Sequence, residues 1–325
     1  MNVPRRHALG MMASALASGL PTMASAQAYP SKPISVIIPY PPGASTDQVG
    51  RMVQTRLAIN NNVTVVAENR GGAGGNLGSA YVAKSPPDGY RVLLATQPIV
   101  TINPFLYKDM GFDPDKDLTP LTCAVNAVVC LVVHPSFPVN TVAELIAYGK
   151  KNPGMVNYGT AGAGTPQHIG GLLFGQRAGF DLTHIPYKGG GPMVADLLAG
   201  HIKMGIVTLS TVKAYLADKK LRVIAIGELT RFAGAADIPT IAETLPGFEL
   251  TTWLGFFGPG GLPAERVSYL SNGIIRALNS DDVKPKLLDL ALPIRADGPE
   301  ALAKLVKADQ EAYGRIIREH KITAD

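Results

Sequence analysis

Residues 34–43 carry the sequence ISVIIPYPPG, and this stretch decides the fold class of the chain. Its apolar beginning is typical of a short buried strand, whereas the prolines and the glycine at its end are typical of a loop. Apolar residues then recur at helical spacing between Thr46 and Ala58, so a helix is predicted directly after the loop. A strand, a loop and a helix in this order form the repeating unit of an α/β protein.

The same unit recurs along most of the chain. Strands are predicted at 63–67 and 91–95 with a helix at 77–84 between them, which indicates a mostly parallel sheet covered on both faces. The alternation restarts with a strand over 128–133 and continues to a strand over 221–226, after which the sequence is mainly helical. We therefore expect two similar α/β units, the second inserted into the first.

Length and composition limit the function classes. With 325 residues, the chain has room for two domains of ordinary size or one large one. Hydrophobic residues make up 46% and charged residues 17% of the sequence, which excludes an intrinsically disordered protein. The formal net charge is +5, and it falls to +3 without Arg5 and Arg6. This small excess, with no basic stripe that alternates with aromatic residues, argues against a dedicated nucleic-acid-binding protein.

The beginning of the chain has the composition of an export signal. Arg5 and Arg6 form a charged start, residues 8–23 are small and apolar, and residues 24–26 (ASA) match a cleavage site. A membrane anchor is the alternative, but about 16 apolar residues are fewer than the roughly 20 that span a bilayer. We therefore expect a periplasmic protein whose signal is cleaved near Ala26, exported by the Sec or the twin-arginine route.

The sequence contains two cysteines, Cys123 and Cys130. In an extended strand they would lie about 23 Å apart, far beyond the reach of a disulfide. A bridge therefore requires a turn between them. Two alternatives stay open at this point, a disulfide and a pair of buried free thiols.

Three loops rich in glycine or proline lie between a predicted strand and a predicted helix, at residues 40–46, 71–76 and 159–165. In open parallel sheets, ligands bind outside the carboxyl ends of the strands. A helix that begins there offers free backbone N–H groups and the positive end of its dipole, and glycine lets a ligand approach the backbone. Three such loops facing one cleft would bind an anion such as a carboxylate. The alternative for each loop is a simple tight turn.

Familiar catalytic and cofactor motifs do not fit the sequence. Residues 71–75 lack the Gly-Lys-Ser/Thr of a P-loop, and the last glycine of 72–78 comes one position too late for a dinucleotide fingerprint. The histidines show no metal-binding spacing, and no nucleophile elbow is present. We therefore expect neither a cofactor nor a metal ion. His168 and Asp47 each lie in the first turn of a helix after one of the loops, where either side chain could contact a ligand or only stabilise its loop.

Four motifs near these loops resemble those of one known family. They are YPxKPI at 29–34, PxPPGxxxDxxxR at 39–51, ENRxGAGGNxG at 68–78 and PDGY at 87–90. In these motifs, and in shorter ones that continue to Trp253, the chain is similar to the Bug-type extracytoplasmic solute receptors of tripartite tricarboxylate transporters. The similarity covers nearly the whole chain after the export signal, in order and in spacing.

The resemblance implies a type II periplasmic-binding-protein fold, in which two α/β domains hold a ligand in the cleft between them. After an export signal at 1–26, domain 1 would comprise residues 27–124 and 225–325, and domain 2 residues 125–224. Such a protein is a monomer and not an enzyme. It captures a small di-, tri- or aromatic carboxylate, delivers it to the membrane permease subunits of its transporter, and binds no nucleic acid.

Two other functions stay open. One is a periplasmic sensory receptor that passes its carboxylate-bound state to a signalling protein instead of a permease. The other is an exported α/β enzyme that acts on a small acid through Asp47 or His168.

The resemblance also implies which residues contact the ligand. The first two loops would hold one carboxylate through backbone amides, hydroxyl groups and ordered water, and the second domain would complete the site. Ala44 and Gly71 stand where glycine and proline are common in the family, and Val207-Thr208 replaces a stretch that is often aromatic, so the identity of the ligand does not follow. The expected ligand-binding residues are Tyr40, Pro42, Gly43, Ser45, Thr46, Asp47, Gly72, Ala73, Gly74, Asn76, Thr160, Thr165, His168, Tyr187 and Thr208.

Overall fold

The strands that the structure describes all lie within residues 32–325. The computed structural model describes residues 29–43, 45–187 and 189–323, so the expected export signal at 1–26 lies outside the described residues. Ten strands are present in the described part. They are β1 (Ile34–Ile38), β2 (Val65–Asn69), β3 (Arg91–Thr96), β4 (Leu118–Val133), β5 (Asn157–Thr160), β6 (Thr183–Pro186), β7 (Met204–Thr208), β8 (Arg222–Ile226), β9 (Thr251–Pro259) and β10 (Ile294–Asp297).

Helices pack against both faces of these strands, as the alternating sequence pattern predicts. Within the described ranges they are α1 (Ser45–Asn61), α2 (Asn76–Ala83), α3 (Gln97–Thr101), α4 (Asn103–Leu106), α5 (Pro114–Asp117), α6 (Val142–Lys151), α7 (Pro166–Ala178), α8 (Gly190–Leu198), α9 (Leu209–Val212), α10 (Ala264–Leu278), α11 (Lys284–Asp289) and α12 (Pro299–Glu319). None of the helices described combines the length and the apolar composition that crossing a bilayer requires.

The helix α1 shows how the sequence pattern becomes packing. Val49, Val53 and Leu57 recur every four residues, and all three are buried on one face. Leu57 lies close to Gly273 of α10, where a β-carbon would be 2.5 Å from its side chain. Glycine at this position therefore lets the two helices approach each other.

The sheet has the strand order β2-β1-β3-β9-β4-β7-β5-β6, and β8 and β10 both pair with β4. The predicted parallel pairing is confirmed at both ends, where β1 pairs with β2 and β3, and β5 pairs with β6 and β7. In the middle the prediction is wrong, because β4 and β9 run antiparallel to each other and to their other partners. The sheet is therefore mixed, with two parallel groups joined by antiparallel strands.

The strand β4 is 16 residues long and belongs to both halves of the sheet. Its first part, Leu118 to Val128, pairs with β9, whereas Val129 to Val133 pairs with β7 and most of this part also with β8. The sequence predicted only 128–133 as a strand, because Pro120 and polar residues interrupt the apolar pattern before it. Antiparallel pairing along its length continues the strand through these residues.

Both cysteines lie in β4, and both are buried free thiols. Of the two alternatives, the disulfide is therefore excluded, because the extended strand keeps the two thiols apart. Burial raises the pKa of the Cys123 thiol to about 12 and raises that of Cys130 as well. Both thiols therefore stay protonated and unreactive at neutral pH.

Candidate functional site

Two groups of parallel strands place two sets of loops at carboxyl ends, where open sheets bind ligands. The loops after β1, β2 and β3 form the first loop set, and the loops after β5, β6 and β7 form the second loop set. All fifteen expected ligand-binding residues lie in these sets or directly beside them. Their contact with a ligand stays a prediction.

Asp47, in the first turn of α1, stabilises the first loop from within. Its buried carboxylate accepts hydrogen bonds from the Gly43 amide at 3.1 Å, from Nε of Arg51 at 3.0 Å and from Nδ2 of Asn69 at 2.9 Å. Burial alone would raise the pKa of Asp47, but these three donors outweigh it and lower the pKa below its ordinary value. The carboxylate therefore stays ionised and is used to hold the loop.

We expect Asp47→Asn to destabilise the fold in a pH-dependent way. At pH 7 the free energy of unfolding should fall by about 1.5–3 kcal/mol, because hydrogen bonds to a charged group are lost. Since folding lowers the pKa of Asp47, its contribution is present above the unfolded pKa of about 3.9 and is lost as the pH falls through the folded value. The difference between variant and parent in urea unfolding should therefore shrink below about pH 4. Asp281→Asn, on an exposed side chain, is the control, and a pH-independent difference at Asp47 would contradict the argument.

The remaining residues of the first loop differ in exposure. Thr46 is buried, Ser45 is half-buried, and Pro42 and Gly43 are exposed. Gly43 has a φ of 98°, a conformation that favours glycine. A residue with a side chain would therefore be strained at this position.

Tyr40 joins the first loop to the second. Its hydroxyl donates to the Gly74 carbonyl at 3.3 Å and lies 2.8 Å from Oγ1 of Thr96 at the end of β3. Burial raises the pKa of the Tyr40 hydroxyl, so it stays protonated and able to donate. The sequence predicted Tyr40 as a site residue. In the structure its hydroxyl connects the loops that follow β1, β2 and β3.

The second loop winds through four successive residues with positive φ. The values are 129° for Gly72, 48° for Ala73, 64° for Gly74 and 96° for Gly75. Residues other than glycine rarely adopt this region, and a strained course of this length is held where the surroundings require it, commonly at a functional site. A β-carbon on Gly74 would lie 2.7 Å from the Tyr107 hydroxyl. Glycine at position 74 is therefore favoured both by its backbone conformation and by the space that Tyr107 leaves.

Asn76 follows this turn at the start of α2. Its side chain is 2% exposed, and its Oδ1 accepts a hydrogen bond of 2.7 Å from Nδ2 of Asn103. The Asn76 Nδ2 group is buried and has no hydrogen-bond partner among the described residues. A buried donor without an acceptor costs about 1–3 kcal/mol, so the fold keeps this unpaired donor at a cost in stability.

In the second loop set, the third loop is held by side chains at both of its ends. Thr165 caps α7, because its Oγ1 accepts from the His168 amide at 3.2 Å, and Pro166 occupies the first turn as the sequence predicts. Nδ1 of His168 accepts from the Gly164 amide at 3.1 Å. Oγ1 of the buried Thr160 donates to the Gly162 carbonyl at 3.0 Å. The loop is therefore fixed before any ligand arrives.

Two stacked histidines lie beside this loop. The rings of His168 and His184 are 3.8 Å apart between centroids and nearly parallel, and Nε2 of His184 lies 2.7 Å from Oγ1 of Thr160. Burial, with a smaller effect of His168, lowers the pKa of His184 to about 4. His184 is therefore uncharged at neutral pH. Nothing in the sequence pointed to His184 as a site residue, because a histidine inside a short strand gives no signal of its own.

Tyr187 and Thr208 complete the second loop set. The Tyr187 hydroxyl donates to Oδ2 of Asp196 at 2.7 Å, and burial together with this carboxylate raises its pKa to about 12. Oγ1 of Thr208 lies 2.8 Å from Oγ1 of Thr211 and accepts from Ser210 at 3.3 Å. The hydroxyl hydrogen of Tyr187 is thus used in a hydrogen bond within the protein. The hydroxyls of Thr208, Ser210 and Thr211 form a cluster that contains both donors and acceptors.

The two loop sets approach each other at Leu106 and Gly164. A β-carbon on Gly164 would collide with the Leu106 side chain, and Leu106 ends the α4 segment that contains Asn103. Ile102, just before α4, packs against Ile169 of α7 in the same buried cluster. The α4 segment, whose Asn103 donates a hydrogen bond to Asn76, is therefore in contact with the third loop.

A sequence model described as the tripartite tricarboxylate transporter family receptor matches residues 49–322. This chain belongs to that receptor family. Protein BugT of Bordetella pertussis (strain Tohama I) is 33% identical over 268 residues, which are 82% of this chain and 82% of BugT. The predicted family is thereby confirmed.

Solved structures of similar proteins support the same assignment for the receptor. R. palustris Rpa4515 with adipate has a TM-score of 0.81 and 31% identity, and the match covers 91% of this chain and 100% of that one. MatC from Rhodopseudomonas palustris with bound malate has a TM-score of 0.75 and 28% identity, over 89% and 100%. The receptor thus has the α/β fold of periplasmic binding proteins, and the predicted fold class is confirmed.

The receptor family and its fold are those of periplasmic solute-binding proteins. Among the described residues, no cluster of three or more histidine, cysteine, aspartate or glutamate side chains is suited to hold a metal ion. Asn103 and Thr96 support the predicted residues Asn76 and Tyr40, but neither was among the residues predicted from the sequence. Asn103-Pro104 is one of the shorter motifs that resemble the family, and it could have pointed to Asn103.

Proposed function

We propose that this receptor binds a small di-, tri- or aromatic carboxylate between the first and second loop sets. It then delivers the acid to the membrane permease subunits of a tripartite tricarboxylate transporter. In this proposal it acts in the periplasm as a monomer, after cleavage of the signal near Ala26. The observation that carries the proposal is the buried Nδ2 donor of Asn76, which has no partner in the described structure and follows a turn of four positive-φ residues.

The bound acids of the similar proteins support a dicarboxylate in particular. Rpa4515 was solved with adipate and MatC with malate, and both acids carry two carboxylates. In the proposed arrangement, one carboxylate accepts from Asn76 and from backbone amides of the first loop set. The other end of the ligand then contacts the second loop set near Thr160 and Thr208.

The proposed domains remain residues 27–124 with 225–325, and residues 125–224. The pairing of β4 supports this division, since the strand changes partners from β9 to β7 and β8 after Val128. A binding role without catalysis is supported by the two candidate bases. The Asp47 carboxylate already accepts from three donors, and Nδ1 of His168 already accepts from the Gly164 amide.

A thermal-shift screen of di-, tri- and aromatic carboxylates tests this function. A bound acid at one hundred times its dissociation constant should stabilise the receptor by about 2.7 kcal/mol, which is a clear rise in melting temperature. Adipate, with 1,6-hexanediol as the uncharged control of the same length, and malate belong in the screen. The acid that binds should also be recovered chemically unchanged. A rise caused by the diol or by an uncharged sugar, with none from any acid, would exclude the proposal.

A further inference from the structure

A cavity lies away from both loop sets, at the junction of the two halves of the sheet. It has a volume of about 670 Å³, within the usual range of small-molecule sites, and we call it the junction cavity. Its walls come from β4, from the segment after β8, and from α11 with the residues that follow. It shares no lining residue with the candidate carboxylate site.

Two residues that line the junction cavity each have a hydrogen-bond acceptor without a donor. Oδ1 of Asn126, near the middle of β4, and Oε1 of Glu228, just after β8, are both buried atoms with no hydrogen-bond partner among the described residues. An unpartnered buried acceptor is costly, and an unpartnered buried carboxylate is more costly still. A ligand that brings N–H donors would satisfy both.

Most of the remaining lining residues are apolar, and an apolar part of such a ligand would pack against them. Phe232 and Leu292 are buried in the wall, and Leu288 is 45% exposed although it is a large apolar side chain. A molecule that covers Leu288 would remove this apolar surface from water. The lining therefore matches a ligand with an apolar part and a donor group.

The charges around Glu228 decide between a cationic and an anionic ligand. Burial and the nearby Glu249 raise the pKa of Glu228 to about 7, and Arg295 acts in the opposite direction. Arg231 is held by Glu243 through two hydrogen bonds of 2.8 Å, and Lys284 is exposed. Because Lys284 is in contact with solvent, the buried charged group of the cavity that lacks a partner is the Glu228 carboxylate, and its complement is an ammonium group.

We propose that the junction cavity is a second binding site, for a small apolar molecule that carries a primary ammonium group. The ammonium donates to Glu228 and Asn126, and the apolar part packs on Phe232, Leu288 and Leu292. When Glu228 is protonated before binding, its proton passes to solvent as the ion pair forms. This site is separate from the carboxylate site, and the proposal does not depend on what that site binds.

Isothermal titration of the receptor with 2-phenylethylamine at pH 8 tests the proposal, with 2-phenylethanol as the uncharged control. The amine should bind at a ratio of one to one and at least tenfold more tightly than the alcohol. Its affinity should rise about tenfold from pH 6 to pH 8, because Glu228 becomes ionised over this range. Equal affinities for the two molecules, or no binding of the amine, would overturn the proposal.

Variants locate the binding. Glu228→Gln keeps the shape of the side chain and should weaken amine binding at least tenfold and remove the pH dependence, whereas Glu311→Gln, on an exposed face of α12, should change nothing. Lys284→Gln removes a competing cation from an exposed position and should strengthen amine binding two- to threefold. This second variant keeps the proposal testable if Glu228→Gln folds poorly. Unchanged affinity in a folded Glu228→Gln variant, or weaker binding in Lys284→Gln, would place the amine elsewhere.

Discussion

Replacing Asn76 with aspartate is expected to abolish carboxylate binding, lowering the affinity at least hundredfold, or about 2.7 kcal/mol. The new side chain has nearly the same shape and can still accept from Asn103, so the hydrogen bond of 2.7 Å that fixes residue 76 is kept. The donor at Nδ2 is replaced by an acceptor that carries negative charge. In a buried position, the loss of the donor and the repulsion of the ligand carboxylate act together.

Titration calorimetry with the acid that binds most tightly in the carboxylate screen measures this effect. Asn272→Asp makes the same chemical change on the exposed face of α10 and should leave the affinity within twofold. The melting temperature of ligand-free Asn76→Asp should show that the variant is folded. If the folded variant binds the acid as well as the parent does, the role proposed for Asn76 is wrong.

Gly227→Ala is expected to have the largest effect on stability, with a loss of about 3 kcal/mol and a melting temperature lower by roughly 6–12 °C. A β-carbon on Gly227 would collide with the backbone carbonyl oxygen of Leu250. Neither segment can move away easily. The Gly227 amide donates to the Val129 carbonyl at 2.8 Å, and its own carbonyl accepts from the Leu250 amide at 2.9 Å.

Gly191→Ala is the matched control for this substitution. Gly191 is the second residue of α8, and a β-carbon there would meet nothing within 4 Å. Alanine should therefore leave the free energy of unfolding unchanged or raise it by up to about 0.5–1 kcal/mol. Chemical denaturation of both variants compares the two positions, and similar stabilities for them would show that the collision at Leu250 is relieved at little cost.

The sequence predicted the elements at the two ends of the sheet well, because each is defined by local patterns. Residues 34–38 were predicted as a strand and form one with the same bounds. A helix was predicted directly after the loop at 159–165, and α7 starts there with Thr165 as its cap. Such signals depend on a few neighbouring residues and need no knowledge of the rest of the fold.

The centre of the sheet could not be predicted in the same way. The first part of β4, before Val128, contains Pro120 and several polar residues, and it is a strand because β9 and β10 pair with it from far along the sequence. Neither the sequence of β4 nor that of its partner strands alone predicts whether they pair parallel or antiparallel. For the same reason the sheet was expected to be mostly parallel, whereas its middle is antiparallel.

The candidate site likewise has features that local sequence predicts and features that depend on distant residues. Glycine-rich loops after strands were visible in the sequence, and the structure shows the four positive φ values that require most of these glycines. What the sequence could not supply was the difference between residues of the same loop. Asp47 is engaged with three donors, whereas Asn76 keeps one free, and this difference depends on Asn69 and Asn103, which are 22 and 27 residues away.

The shared strand β4 also determines how the protein should unfold. Residues 118–128 of β4 pair within one half of the sheet and residues 129–133 pair within the other. Each half therefore depends on a strand that continues into the other half. Melting one half frees backbone groups that the other half needs, so the two should unfold in a single cooperative transition. A fragment cut at residue 125 would take part of this strand from its partner, and we expect such a fragment to aggregate when expressed alone.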